Sequence, residues 1–436
     1  MAPPQRVAGT ATLVLALALG AVACQPAPRD LVLVTFDTIR LDHVGVYAAG
    51  AGPSPTPRLD AVARGARVFE RAYTPMPTTA PAHASLLTGL HPHEHGIERN
   101  GDRPPPKLTP HTLQRRLAEA GYATGAFVTS GVFGDALGLG GFDRWDAPEE
   151  PLRPGTEAAE AALSWLDEAP RPAFLWLHLY DPHAPYGAAQ GKVERLPIDP
   201  ALYGWVDRAS YEDPAARARM ASLYADGVRD ADRALGLLLD GLAQRGRAPL
   251  LVITADHGEL FDYRLASTGF AYGHGSLLTD EVLRIPLLIA GEDVAAGRVA
   301  TPVSLRDLYT TLLAAAGLPD PAAAGSGRYD LRGALPERRI VLAARRVFRG
   351  GDRERKGIDP GSSEHVRAHA VAASDGERLV VLGEDGAPAP GSGEGEALRD
   401  AARTLLDEVR AAREAATPGT LDPTTRDRLE ALGYLE

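Results

Sequence analysis

The chain predicts an α/β fold: a mainly parallel sheet flanked by helices, with a small α+β subdomain at the C-terminal end. Three observations carry this. Short, wholly apolar runs alternate with longer amphipathic stretches of helical spacing, as in sheets whose two faces are covered by helices. Two of those runs end abruptly in Asp-Thr and Asp-His pairs, the pattern of strands that deliver polar groups to one rim. A Pro/Ala/Gly-rich stretch, 319–327, then separates the pattern from a shorter tail. With 436 residues, 44% of them hydrophobic, there is ample apolar mass for one large core.

The first 24 residues read as an export signal, outside the fold. Arg6 supplies positive charge, residues 13–19 form a short apolar core, and Ala21-Val22-Ala23-Cys24 resembles a bacterial lipoprotein cleavage box. That reading makes the protein exported, periplasmic or outer-membrane, with a membrane lipid anchor at Cys24. A plain secretory signal cut after Ala23 is the alternative. Cys24 is the only cysteine, so no disulfide forms within the chain.

From residue 31 onward the predicted buried strands are 31–36, 124–128, 173–179, 250–254 and 285–289, each apolar on both faces. Helical periodicity covers 57–66, 81–87, 110–120, 156–168, 213–245 and 304–316. Pro57, Pro81 and Pro110 open three of these, where a missing N–H does no harm. The helix through Gly227 keeps its spacing despite the glycine. Beyond the Pro/Ala/Gly stretch, 339–343 and 378–382 read as strands and 397–415 as a helix. Gly- and charge-rich loops occupy 350–364 and 384–396. The organisation is therefore a signal at 1–24, a main domain at 30–319, and a C-terminal subdomain at 335–436 that completes the fold.

The net charge is −11, with acidic and basic residues interspersed and no basic stripe. Nucleic acid is excluded as the main partner. If the protein acts on anions, positive charge must come from a metal and a few placed side chains.

The candidate residues sit where strands and helices end. The first strand delivers Asp37-Thr38, and the fourth delivers Asp256-His257-Gly258-Glu259. One carboxylate beside an Asp-His pair is a mixed oxygen/nitrogen site for a divalent cation. Thr79 precedes Ala80-Pro81, so its hydroxyl falls at a helix N-terminus, where free N–H groups and the dipole favour a tetrahedral anion. A metal-bound hydroxyl loses its proton readily, which makes Thr79 a candidate nucleophile as well as a ligand. Neighbouring Thr78 is the alternative nucleophile or cap. One turn on, His83 is placed to hydrogen-bond the nucleophile or a non-bridging oxygen. His183, between prolines in Asp181-Pro182-His183-Ala184-Pro185, is a candidate proton donor to the leaving group. His274 is placed to bind the anionic group or, with Asp181 and His183, to hold a second metal. The cluster His91, His93 and His95 reads as structural.

Several blocks together resemble the sulfatase family of the alkaline phosphatase superfamily. Residues 79–89 (TAPAHASLLTG) have the frame Cys/Ser-x-Pro-x-Arg-x-x-x-x-Thr-Gly, and 37–43, 90–96, 120–124, 181–186, 254–259 and 284–287 follow in order, so the likeness runs from about 30 to 319. It implies an alkaline-phosphatase-like sheet, Asp37, Asp256 and His257 as metal ligands, and Thr79 as ligand and nucleophile. It also implies His183 and His274 around the transferred group. One divalent ion is expected, with Ca, Mn, Mg and Zn not distinguished by the sequence.

The departures matter. Thr79 stands where sulfatases carry a Cys or Ser that becomes formylglycine, and threonine does not undergo that conversion. Thr38 replaces a second aspartate, His257 replaces asparagine, His83 replaces arginine, and His274 stands near a lysine. The expected activity is a metal-dependent hydrolase that cleaves phosphate or phosphonate (or sulfate) esters through Thr79 and a covalent intermediate. The alternatives are a true sulfatase, an envelope phosphoglycerol- or phosphoethanolamine-type transferase, and a lipoprotein that binds anionic glycans without turnover. The expected partner is a small anionic ester, or a sulfated or phosphorylated glycan or lipid.

Overall fold

The computed structural model describes residues 29–48, 53–103, 111–133, 140–149, 152–184, 214–261, 272–275, 277–345, 370–389 and 391–414, with residues 105, 108 and 186. The expected export signal with Cys24, the segments 187–212 and 350–364, most of 262–273 and the C-terminal 421–435 lie outside them. Among the described residues no helix is long and apolar enough to cross a membrane.

In chain order the first strands are β1 (Leu31–Phe36), β2 (Arg67–Phe69), β3 (Ala72–Tyr73), β4 (Ala123–Val128), β5 (Arg144–Asp146), β6 (Ala173–Leu179), β7 (Leu250–Ala255) and β8 (Leu260–Phe261). There follow β9 (Tyr272–Gly273), β10 (Arg284–Ile285), β11 (Leu287–Ala290), β12 (Gly297–Val299), β13 (Val303–Ser304), β14 (Val341–Ala344), β15 (Ala370–Ser374) and β16 (Leu379–Gly383). Eight of them form one sheet in the order β12-β2-β11-β7-β1-β6-β4-β5. The run β7-β1-β6-β4-β5 is parallel, and β11 lies antiparallel to both β7 and β2. The mixed α/β architecture with a mostly parallel sheet is as the sequence predicts.

Every residue of β1, β6 and β7 is buried, which explains their largely apolar runs. One expected strand divides. Pro286 lacks an N–H, and the segment 285–289 breaks there. Arg284–Ile285 pairs with β3 in a separate three-stranded sheet, and Leu287–Ala290 joins the main one. Of the strands the sequence did not announce, β2, β3, β5, β8, β9, β12 and β13 are two or three residues long, too short for any periodicity. The helix read at 304–316 spans Asp307–Ala315, because Val303–Ser304 pair with β3.

At the C-terminal end β14, β15 and β16 form an antiparallel sheet. Central β15 alternates: Ala370 and Ala372 pack with Leu260, Val282 and Leu283, while Val371 and Ala373 pack against Leu398, Leu405, Leu406 and Val409 of the helix Glu396–Glu414. Three alanines in five residues hid this strand from a propensity argument.

Candidate active site

Parallel register brings two carboxylates to one rim. Phe36 at the end of β1 stands opposite Ala255 at the end of β7, so Asp37 and Asp256 emerge side by side. The ladder continues one step, with the Asp37 N–H donating to Leu179 O at 2.9 Å and the Asp256 N–H to Phe36 O at 3.2 Å. Both carboxylates are fully buried, and Asp37 Oδ1, Asp37 Oδ2 and Asp256 Oδ2 have no donor in good geometry. Bare buried acceptors of this kind are expensive unless a cation joins them. Burial, with the added negative charge of Glu259, pushes Asp37 well above the usual carboxylate range, while the Thr79 hydroxyl pulls the other way. Burial, then the charge of Asp37, does the same to Asp256.

His257 supplies the third donor. Its Nε2 lies 3.4 Å from Asp256 Oδ2 and 3.9 Å from Asp37 Oδ1. Its Nδ1–H donates to Gly258 O at 2.9 Å, which leaves Nε2 as the lone-pair nitrogen. Burial holds this imidazole far below its ordinary range, hence neutral. Ligand atoms of Asp37, Asp256 and His257 all lie within 4.8 Å of one another. The donor set, its tautomer and its bare oxygens fit a divalent cation.

Thr79 completes the cluster. It is the first residue of the helix Thr79–Thr88, with Thr78 extended at the N-cap, and its Oγ1 is 3.4 Å from His257 Nε2. The helix terminus itself offers an anion little. Asn100 Oδ1 takes the Ala80 N–H at 2.9 Å and Pro81 has none, so the free donors expected there are largely absent. Next to Asp37, Thr38 sits at φ 55°, a region β-branched residues rarely enter. Its N–H donates to Asp256 Oδ1 at 3.2 Å, and its carbonyl accepts from Tyr224 Oη at 2.8 Å.

The remaining histidines take distinct places. His274 lies over His257, ring centroids 4.4 Å apart, with Nδ1 3.3 Å from Glu259 Oε1. His183 stacks on Tyr180 at 4.0 Å and meets His274 edge-on at 5.1 Å, and its Nδ1–H is donated to Ala184 O. His83 is fully buried, Nδ1 on the Thr79 carbonyl at 2.8 Å and Nε2 on Thr35 Oγ1 at 3.1 Å, so both nitrogens bind protein rather than open space.

The expected second-metal set does not assemble. Asp181 Oδ1 instead accepts the Gly155 N–H at 3.1 Å, at the start of the helix Gly155–Glu168. The one group of three or more ligand-type side chains among the described residues is Asp37, Asp256 and His257.

The histidine triplet is structural, as expected. His91 accepts from Arg306, His95 shares a hydrogen with Ser85 Oγ at 2.9 Å, and His93 approaches Glu408 of the C-terminal helix at 3.7 Å. Glu259 was visible in the sequence only as the end of a motif. Asn100 and Thr35 gave no signal, because their partners lie 20 and 143 residues away.

A family model described as Sulfatase matches residues 29–318. The chain belongs to the sulfatase family. Human N-sulphoglucosamine sulphohydrolase is 28% identical over 351 residues, 73% of this chain and 67% of that protein. Among solved structures, a 2-O GAG sulfatase superposes with a TM-score of 0.63 at 18% identity, over 92% of this chain and 96% of its own. The phosphonate monoester hydrolase of Agrobacterium radiobacter also gives 0.63 at 18% identity, over 88% and 95%. The sulfatase fold thus hosts both kinds of ester hydrolase, and the choice between them lies in the site residues.

Proposed function

We propose that this sulfatase-family hydrolase cleaves monoanionic phosphodiesters or phosphonate monoesters through an unmodified Thr79. The observation that carries the reading is the Thr79 hydroxyl at 3.4 Å from His257, on the edge of the Asp37–Asp256–His257 cluster. A divalent cation held by these four residues would lower the proton affinity of the hydroxyl and offset charge on the transferred group.

Thr79 Oγ1 gives up its proton to solvent and attacks phosphorus, the bond to the leaving oxygen breaks, and protonated His183 delivers its Nε2 proton to that oxygen. Water then attacks phosphorus in the Thr79 ester and returns one proton to His183, while the departing Thr79 oxygen takes a proton from solvent, releasing acid and regenerating the hydroxyl. Glu259 holds His274 beside the group in transfer, and His83 holds the nucleophile's own carbonyl.

Charge selects the substrate. Asp37 and Asp256 balance one divalent ion, and no Lys or Arg side chain among the described residues is hydrogen-bonded or ion-paired to a member of this cluster. Arg40 donates to the Glu259 carbonyl at 3.0 Å and pairs with Asp42. With those charges summing to zero, the single positive charge of a protonated His183 matches a monoanion, whereas a dianionic phosphate monoester would leave one negative charge uncompensated.

The test is turnover of a diaryl phosphodiester, an aryl phosphonate, an aryl sulfate and an aryl phosphate monoester, each with added Mn, Zn, Mg or Ca. Diester and phosphonate should lead, and Thr79→Ala should abolish both. Turnover that persists in Thr79→Ala overturns the mechanism. Dominant sulfate turnover would favour the second reading, a sulfated-glycan hydrolase, which the names of the relatives support.

A further inference from the structure

Behind Asp37 lies a closed polar network. Parallel register sets Thr35 of β1 opposite His178 of β6, and both face the helix that carries Thr79. Thr35 Oγ1 lies 2.9 Å from Trp176 Nε1, 2.9 Å from His178 Nδ1 and 3.1 Å from His83 Nε2. The far nitrogen of His83 is 2.8 Å from the Thr79 carbonyl, and that of His178 is 3.3 Å from Asp37 Oδ2. All four side chains are fully buried, and Phe133 packs edge-on against both imidazoles.

Counting hydrogens fixes the tautomers. A carbonyl only accepts, so neutral His83 carries its hydrogen on Nδ1 and its Nε2 must accept. The Thr35 hydroxyl therefore donates to His83. Its two lone pairs are then filled by the indole N–H of Trp176 and by an Nδ1–H of His178. His178 is left with a bare Nε2 aimed at Asp37 Oδ2, and neither atom has a partner in good geometry. Two buried lone-pair atoms facing each other at this separation favour a cation beside them.

We propose that Thr35 is a tautomer-setting residue: its hydroxyl keeps the hydrogen of His178 on Nδ1, so that His178 cannot cap Asp37 and the carboxylate stays open to the cation. Thr35 and His178 are positioning residues that act through Asp37. The proposal rests on the cation-binding part of the functional reading above. Thr35→Val keeps the side-chain shape and removes the hydroxyl. His178 is then released to carry its hydrogen on Nε2 and donate it to Asp37, in competition with the cation. Outer partners of this kind typically change metal affinity by about 10- to 100-fold.

The experiment titrates Mn²⁺ and Zn²⁺ into the folded, metal-free protein at neutral pH, without substrate. Thr35→Val should weaken binding by about 10- to 100-fold and Thr35→Ser should restore it. Nitrogen-15 NMR of labelled histidines should place the His178 hydrogen on Nδ1 in the wild type and on Nε2 in Thr35→Val. Wild-type affinity in folded Thr35→Val overturns the proposal, and so does a wild-type His178 protonated on Nε2. The wild-type spectrum decides the matter even where Thr35→Val fails to fold. Asp37→Asn separates the two levels: if it binds the ions as the wild type does, the cation site itself is wrong and both readings fall.

Discussion

His183 donates Nδ1–H to the carbonyl of Ala184, so Nε2 is the nitrogen that can exchange a proton with a leaving group. Burial, aided by the neighbouring His274, drives it down to about 3 before any anion is bound, and a bound anion must raise it again. His183→Ala is expected to lower kcat by about 10²–10⁴ for alkyl leaving groups and far less for nitrophenolate, which needs no proton. A leaving-group series checks this, and equal losses across it would remove His183 from the acid role. Asp181 is a second residue with a definite signature. Burial pushes it up to about 7 from 3.8. The folded state therefore holds its proton more tightly than the unfolded chain. That stabilisation is complete below 3.8 and is lost as pH rises toward about 7. Asp181→Asn should flatten this decline in thermal melts taken from acid to neutral pH, and an unchanged slope would show that Asp181 ionises at no penalty.

The long helix Pro214–Gln244 makes an element-scale case. A Cβ at Gly227 would land on the carbonyl oxygen of Asp181, so the glycine is where the helix backbone approaches the strand-end loop that carries His183. Gly227→Ala is expected to destabilise by about 1–3 kcal/mol despite alanine's better helix propensity. Urea unfolding measures it, and a stabilised variant would mean the loop simply yields. At this scale the sequence was readable where one cause acted alone. Largely apolar runs located β1, β6 and β7, and Pro81 marked the first turn of the helix that carries Thr79. It was unreadable where a neighbour decided, as at alanine-rich β15 or at β2 and β12, which exist only because of the strands they pair with. The site divides likewise. Asp37, Thr79, Asp256 and His257 announced themselves at element ends, whereas Thr35 and His178 looked like ordinary strand residues.

Across the whole molecule, the Pro/Ala/Gly stretch after residue 318 is fastened to the main sheet's helices. Arg328 pairs with Asp320 at 3.1 Å and donates to Gly89 O at 2.9 Å, and Arg339 pairs with fully buried Asp307 at 2.6 Å. Arg339→Ala leaves that carboxylate uncompensated and is expected to cost about 3–5 kcal/mol. Equilibrium unfolding with probes on both sides of residue 319 checks it, and a loss under 1 kcal/mol would mean that water replaces the guanidinium. The sequence by itself determined the α/β class, the family and which residues stand at the ends of β1 and β7, because each follows from local pattern and fixed offsets. Only the tertiary structure decided that Asp181 turns to a helix N-terminus instead of a second metal, that His83 grips backbone, and that Thr35 joins two histidines behind Asp37. Those contacts depend on strand register and helix packing, which bring together residues up to 143 positions apart.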